Sequence, residues 1–181
     1  EEMVLTAAAP AGGGDDATAT VPAQAKPTAD APADGLEIRH ITAAHEFPEC
    51  VGIDDLVTFL HDEMQPYHDA PRDIRRGLSN ALSGCPAHGG FILLALRERR
   101  LVGALVMLAT GMNGYAPEHM LLFVAVKRGA RGGGIGRRLI ERALALAPGD
   151  VKLHVEYDNP ARRLYERIGF VSKYAEMRVH R

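Results

Sequence analysis

The residues whose types and spacing could do chemistry are gathered in one stretch, Arg131-Gly132-Gly133-Gly134-Ile135-Gly136-Arg137. It follows an apolar run, Met120–Val126, with the length and β-branching of a buried strand. Beyond it Ile135, Leu139, Ala143 and Leu146 recur at helical spacing until Pro148-Gly149 ends the pattern. Strand, glycine turn and helix start together make a site for an anion. A helix N-terminus carries four backbone N–H groups without intrahelical partners and a partial positive charge. Glycines, lacking Cβ, let a phosphate come close to those groups. Lys127, Arg128, Arg131, Arg137 and Arg138 surround the turn, and no carboxylate occurs before Glu141. Taken alone, the same residues would also serve as a glycine-rich connection carrying solvated arginines.

Two common phosphate patterns fail here. The nucleotide loop closes on Gly-Lys-Ser/Thr, whereas Gly136 is followed by Arg137-Arg138. The dinucleotide fingerprint needs glycines at offsets of zero, two and five; counted from Gly132 the last place holds Arg137, and from Gly134 it holds Leu139. Arg-x-x-Gly-x-Gly does fit, with Arg131, Gly134 and Gly136 directly after a strand. A second segment follows, running from Leu153-His154-Val155-Glu156 through Asn159-Pro160-Ala161 and Leu164-Tyr165 to Gly169-Phe170. In these two motifs, in this order, the chain resembles the GNAT superfamily of acyl-CoA N-acyltransferases. The resemblance covers about Leu36 to Arg181.

That resemblance implies acetyl-CoA as co-substrate and an N-acetyltransferase reaction, in which a neutral amine attacks the thioester carbonyl directly in a ternary complex. The turn Arg131, Gly132, Gly133, Gly134, Ile135, Gly136 and Arg137 would hold the pyrophosphate of coenzyme A. The main chain of Phe123, Val124, Ala125 and Val126 would pair with the thioester arm as an extra strand does, and would supply donors for the developing oxyanion. Asn159 would cap its helix and also bond the pantetheine arm. Tyr165 occupies the family's general-acid position, from which it would protonate the departing sulfur; by spacing alone it is a tyrosine packed beside Ala161 and Ile168. Some members carry a basic glutamate within the fourth strand, but Met120–Val126 has no ionisable side chain. Glu118 and His119, just ahead of it, are the nearest candidates, with His154 and Glu156 as competitors; a water-mediated path or no dedicated base are the alternatives. No metal is expected. Only eleven residues follow Phe170, which is short for the family's closing pair of strands and leaves the acceptor, a small-molecule or peptide amine, undefined.

The elements that must position these residues can be read along the chain. Leu36, Ile38 and Ile41 make a short strand; Ile53, Val57, Leu60 and Met64 an amphipathic helix; and Ile74, Leu78 and Leu82 a second helix after Asp69 and Pro71, slightly weakened by Gly77. Phe91–Leu96 and Leu101–Ala109 form a hairpin around Arg97-Glu98-Arg99-Arg100, without the usual Asn-Gly or Asp-Gly. Val151 to Glu156 alternates as a strand, Asn159 and Pro160 open a helix that Gly169 ends, and Met177 and Val179 suggest a last strand. The order β-α-α-β-β-β-α-β-α-β predicts an α/β protein with a mixed sheet and helices on both faces. The family's fold brings the expected strand number to six or seven. His61-Asp62-Glu63-Met64-Gln65-Pro66-Tyr67-His68-Asp69 reads first as a solvated connection; the resemblance places it over the acceptor side, where its acids would attract a cationic amine.

Composition bounds the rest. Of 181 residues, positions 1–35 are mostly Ala, Pro, Gly and Thr without apolar periodicity, the signature of a disordered tail or linker, and 36–181 form the catalytic domain. The sequence starts without Met, which keeps open an upstream domain joined through this tail; a homodimer is kept open too. The net charge of −2 combines −5 in the tail with +3 in the domain. That small excess near the glycine turn suits a polyphosphate and is too small to point to nucleic acid. No apolar run reaches membrane-spanning length, and Cys50 and Cys85 form no metal or redox pattern, so a reduced, cytoplasmic setting is expected. Two other classes remain: a catalytically silent coenzyme A sensor, and a regulatory domain fused to an upstream partner.

Overall fold

The structure, a computed structural model, describes residues 35–85 and 87–179; the expected tail lies outside them save for Gly35. Strand β1 (Leu36–Ile41) leads to helices α1 (Ile53–Glu63) and α2 (Pro71–Ala81). Then come β2 (Gly90–Arg97), β3 (Arg100–Ala109) and β4 (His119–Val126), helix α3 (Ile135–Leu146), β5 (Val151–Leu153) and α4 (Arg162–Ile168). The strands lie side by side in chain order, antiparallel from β1 to β4, with β5 parallel to β4.

Strand β2 reads as an unbroken apolar run because both of its faces are covered. Ile92, Leu94 and Leu96 pack with Leu56, Leu60, Ile74 and Leu78 of α1 and α2. Phe91, Leu93 and Ala95 pack with Ile135, Leu139 and Ile140 of α3 and Tyr165 of α4. The expectation of helices on both faces therefore holds, and each helix buries the stripe its spacing showed.

Three features were not foreseen. The hairpin closes between Arg97 and Arg100 with both central residues, Glu98 and Arg99, at positive φ (50° and 62°). Two side chains with a Cβ thus occupy the left-handed geometry usually left to Asn-Gly. In β4, Val106 of β3 faces Phe123 while Met107 faces Leu121, so Leu122 is an extra, bulged residue. The bulge reverses the alternation: Leu121 joins the α3 side of the core, whereas Phe123 and Ala125 join the α1–α2 side. Gly77 of α2 lies against it, and a Cβ there would come within 2.6 Å of Leu122 Cδ2 and 2.9 Å of Phe123 Cε2. Its absence lets α2 approach the sheet, a benefit that offsets the helix propensity glycine costs.

The strand count needs correction. Among the described residues there are five strands rather than six or seven, and the expected last strand at Met177 and Val179 does not form; 171–179 have no regular structure. Val171, Tyr174, Met177 and Val179 are all exposed, so no face of this segment is buried to hold a register. Strand β5 also stops at Leu153, three residues short of the alternation, and presents little edge to pair with.

Candidate active site

The site begins where β4 and β5 part. Their ladder has three pairs, His119 with Val151, Met120 with Lys152 and Leu121 with Leu153. Beyond the bulge, β4 continues from Phe123 to Val126, still paired with β3 on one side but, among the described residues, with no strand on the other. Main-chain groups that alternate away from β3 therefore face an opening. Phe123 and Ala125 send their side chains into the core, and Val124 and Val126 are half-buried against the α3–α4 side. What this half-strand offers is backbone, not side chains.

Strand β4 runs directly into the glycine turn. A single 3₁₀ turn, Arg128–Ala130, is followed by Gly132 at φ 83° and Gly134 at φ 76° before α3 starts. Gly134 is the N-cap, in the left-handed conformation, and no side chain caps the helix. A Cβ at Gly132 or Gly134 would meet nothing within 4 Å, so the cradle is open. Arg138, bonded to Gly134 O at 3.0 Å, is the first residue of the helix whose amide finds a carbonyl. Among the described residues the amides of Gly132, Gly133, Gly134, Ile135, Gly136 and Arg137 have no acceptor. Unpartnered N–H groups at the positive end of a twelve-residue helix fit a pyrophosphate, and the free half of β4 fits a linear arm carrying amides.

The arginines are disposed otherwise than their number suggests. Arg131 Nε donates to Val126 O at 3.0 Å, and its terminal nitrogen donates to Glu63 O at 2.6 Å. Arg128 donates from its backbone N–H to Glu63 Oε2 at 2.9 Å and from its guanidinium to Asp62 O at 3.1 Å. Arg137 pairs with Glu141 at 2.7 Å. These three side chains hold protein groups, so the unpartnered donors of the turn itself are backbone amides.

The opposite wall is the β5–α4 loop and α4. Asn159 Oδ1 accepts the Ala161 N–H at 2.9 Å, in a turn just ahead of the regular helix, whose N-cap by geometry is Ala161. Tyr165 is 8 % exposed, packed edge-on to Phe170 with centroids 6.0 Å apart. Burial, reinforced by the charge of Glu156, pushes its phenol up to about 12. The hydroxyl thus keeps its proton throughout the neutral range.

Glu118 and His119 stand at the closed end of β4. The Glu118 carboxylate accepts the Asp150 N–H at 2.7 Å and the Gly114 N–H at 3.4 Å, and these backbone bonds lower its pKa. His119 pairs with Val151, its Nδ1 buried without a partner among the described residues. At about 3.3 Å per residue, His119 lies roughly 13 Å along the strand from Phe123. The structure therefore does not bring these two to the opening. Of the competitors, His154 Nδ1 faces Glu176 Oε2 at 3.7 Å, while the charge of Glu156 acts on both Tyr165 and Tyr67.

Tyr67 and Glu63 were not singled out from the sequence as site residues. Tyr67, between α1 and α2, donates to Asp158 O at 3.3 Å and so closes the loop of α1–α2 over that of β5–α4. An open cavity of about 410 Å³ lies along the latter loop, lined by Asp158, Asn159, Arg163 and Glu166 among others. His61 and His68 stack edge-on at 4.5 Å beside it in the chain. No spacing rule predicts such pairings across loops. Among the described residues no group of three or more His, Cys, Asp or Glu could hold a metal, and no helix is long and apolar enough to cross a membrane.

Comparison with known proteins agrees with this geometry. No curated protein sequence matches the chain. Among solved structures, an aminoglycoside N-acetyltransferase in complex with coenzyme A aligns with TM-score 0.59 at 11% identity, over 81% of this chain and 94% of its own. A ribosomal-protein-alanine N-acetyltransferase from Brucella melitensis aligns with TM-score 0.57 at 17% identity, over 80% and 98%. A transcriptional regulator from Bacillus halodurans aligns with TM-score 0.57 at 20% identity, over 80% and 99%. At such identities these likenesses show the fold alone. The family model described as the acetyltransferase (GNAT) family matches residues 53–170, more than half of the chain and every element from α1 to α4. With its parted strands and open glycine turn, the chain belongs to that family, whose acetyl donor is acetyl-CoA.

Proposed function

We propose that the protein is an N-acetyltransferase that moves the acetyl group of acetyl-CoA to a primary amine by direct attack in a ternary complex. The observation that carries this reading is the continuity of two donor surfaces, the unpaired half of β4 and the unpartnered amides at the start of α3. Acetyl-CoA supplies the activated acetyl group. The backbone of Gly132–Gly136 binds its diphosphate, and Phe123–Val126 orient its arm and direct N–H groups at the carbonyl oxygen, where negative charge grows. Arg131 shapes the turn, Arg137 stands beside it, and Asn159 offers its amide to the arm.

The acceptor nitrogen forms the new amide bond as the carbon–sulfur bond breaks. The nitrogen gives up one proton to water or to a base, and the sulfur gains one from Tyr165 Oη. Tyr165 suits the second transfer because its proton is retained up to about 12. For the first transfer we favour Glu156, through water, over Glu118 and His119, since its charge acts on Tyr165 while the Glu118 carboxylate is held by backbone amides at the far end. The charges of Glu156 and Asp158 act on Tyr67 of the α1–α2 linker, which Asp62 and Asp69 flank in sequence, and these acids favour a cationic acceptor. Acetyl-CoA as donor and the free thiols of Cys50 and Cys85 favour a cytoplasmic setting.

The test is an acceptor screen by free-thiol release from acetyl-CoA, using polyamines, aminoglycosides, amino acids and peptide N-termini. Acceptor-dependent release, with mass gain on the acceptor nitrogen, is the expected result. Coenzyme A binding without release across the panel would favour the silent sensor instead.

A further inference from the structure

We infer that Glu63 is a positioning residue that ties the acceptor side of the molecule to the glycine turn, and so makes acyl-CoA binding and closure of the α1–α2 linker interdependent. The inference rests on the coenzyme A reading of that turn. Glu63 is the last residue of α1. Its side chain is only 16% exposed, and its carboxylate takes the Arg128 N–H at 2.9 Å and lies 3.5 Å from the Arg131 guanidinium. The last carbonyls of a helix have no partners within it and form the negative end of its dipole. In α1 two of them are satisfied by the turn: Arg128 bonds Asp62 O at 3.1 Å, and Arg131 bonds Glu63 O at 2.6 Å. Arg131 also grips Val126 O at 3.0 Å, so one guanidinium fixes the end of β4 and the end of α1 together.

The chain leaving this joint is the linker that reaches the other wall, where Tyr67 bonds Asp158 O. A displacement of the glycine turn on binding a diphosphate is thus passed to the end of α1, and from there to the linker over the acceptor side. Coupling of this kind is reciprocal: whatever orders the linker also favours the turn.

A bland account of the same carboxylate makes the opposite prediction. If Glu63 only neutralised Arg128 and Arg131, its removal would free two positive charges beside the diphosphate and tighten binding. The joint instead predicts a loosened turn and weaker binding. Glu63→Gln keeps the volume and removes the charge. Titration calorimetry with coenzyme A should give a Kd about 10-fold weaker than the parent, as for a lost charge-assisted hydrogen bond. Backbone hydrogen exchange supplies a readout that mere destabilisation would not move. In the parent, coenzyme A should slow exchange in residues 64–70, which lie outside the glycine turn and β4, and in Glu63→Gln that remote protection should vanish. Arg131→Lys, which keeps the charge but not the fork, serves as a second variant with the same expectations should Glu63→Gln fold poorly. An unchanged or tighter Kd in a folded variant, or protection of 64–70 that persists, would overturn the joint. A parent that binds no coenzyme A would instead overturn the reading of the turn itself.

Discussion

Tyr165→Phe separates chemistry from packing because it removes one oxygen and nothing else from the α3–α4 core. The phenol has no hydrogen-bond partner among the described residues, so the ring loses no bond when the hydroxyl goes. Its edge-on contact with Phe170 needs only the ring. Folding stability near neutral pH should therefore change by less than about 1 kcal/mol, since no hydrogen bond within the protein is lost. The rate should behave quite differently. Losing a general acid costs about 10²–10⁴-fold, and the loss should fall on the chemical step with acetyl-CoA affinity nearly unchanged. Single-turnover measurement isolates that step from product release.

The same residue sets a second, independent signature in pH. Its pKa is raised in the folded state, to about 12 from the ordinary 10, by burial and by Glu156. Between these values the unfolded chain has released the proton while the folded one still holds it, so stability falls as pH rises through the window. The difference is on the order of a few kcal/mol at most for a shift of this size. Below pH 10 nothing is lost. Chemical denaturation of the parent should therefore weaken from about pH 10 upward more steeply than that of Tyr165→Phe. If the Phe variant keeps its single-turnover rate within about twofold, against the loss expected of a missing acid, Tyr165 is packing alone. If the two alkaline profiles superimpose, its phenol is not buried as the structure has it.

Three further outcomes follow from the geometry. Gly134→Asp should abolish the thermal stabilisation by coenzyme A, because a carboxylate would stand over the open amides, while melting alone shifts by only a few degrees, Asp tolerating the left-handed conformation. Gly77→Ala should destabilise by about 1–3 kcal/mol in denaturant titration, the cost of overpacking, since its Cβ would press on Leu122 and Phe123. Replacing Glu98-Arg99 by Asn-Gly should raise stability by about 1–2 kcal/mol through relief of two left-handed side chains, read as a higher denaturation midpoint; no gain would mean that the turn relaxes by other means.

What was legible in the sequence was whatever depends on local order. Apolar spacing placed α1, α2 and α3 on their faces, and the glycine spacing marked the turn that the structure shows open. The register of β4 was not legible, because the Leu122 bulge depends on β3 and Gly77 across the sheet, and Met120–Val126 reads as a plain run. The missing last strand fails for a related reason. Met177 and Val179 have the period of a strand, yet pairing needs an edge, and β5 ends at Leu153. The arginines around the turn were legible as charge but not as partners: Glu63, far off in sequence, takes up Arg128 and Arg131.

This contrast bears on which half of the reaction the sequence specifies. The donor side uses backbone groups, so its requirements appear as glycines, a helix start and an interrupted ladder, all written locally. The acceptor side, on the reading proposed above, would be built from loop contacts such as Tyr67 on Asp158 O, and from an exposed segment, 171–179, with charge pairs such as His154 with Glu176. Exposed pairs of that kind contribute roughly 0–1 kcal/mol each, too little to fix one geometry against a bound substrate. On the reading proposed above, the side that would receive the amine thus rests on weaker contacts than the donor side does. A substrate able to bridge the linker and the C-terminal segment would order both, and the acidic groups already there would select it for positive charge.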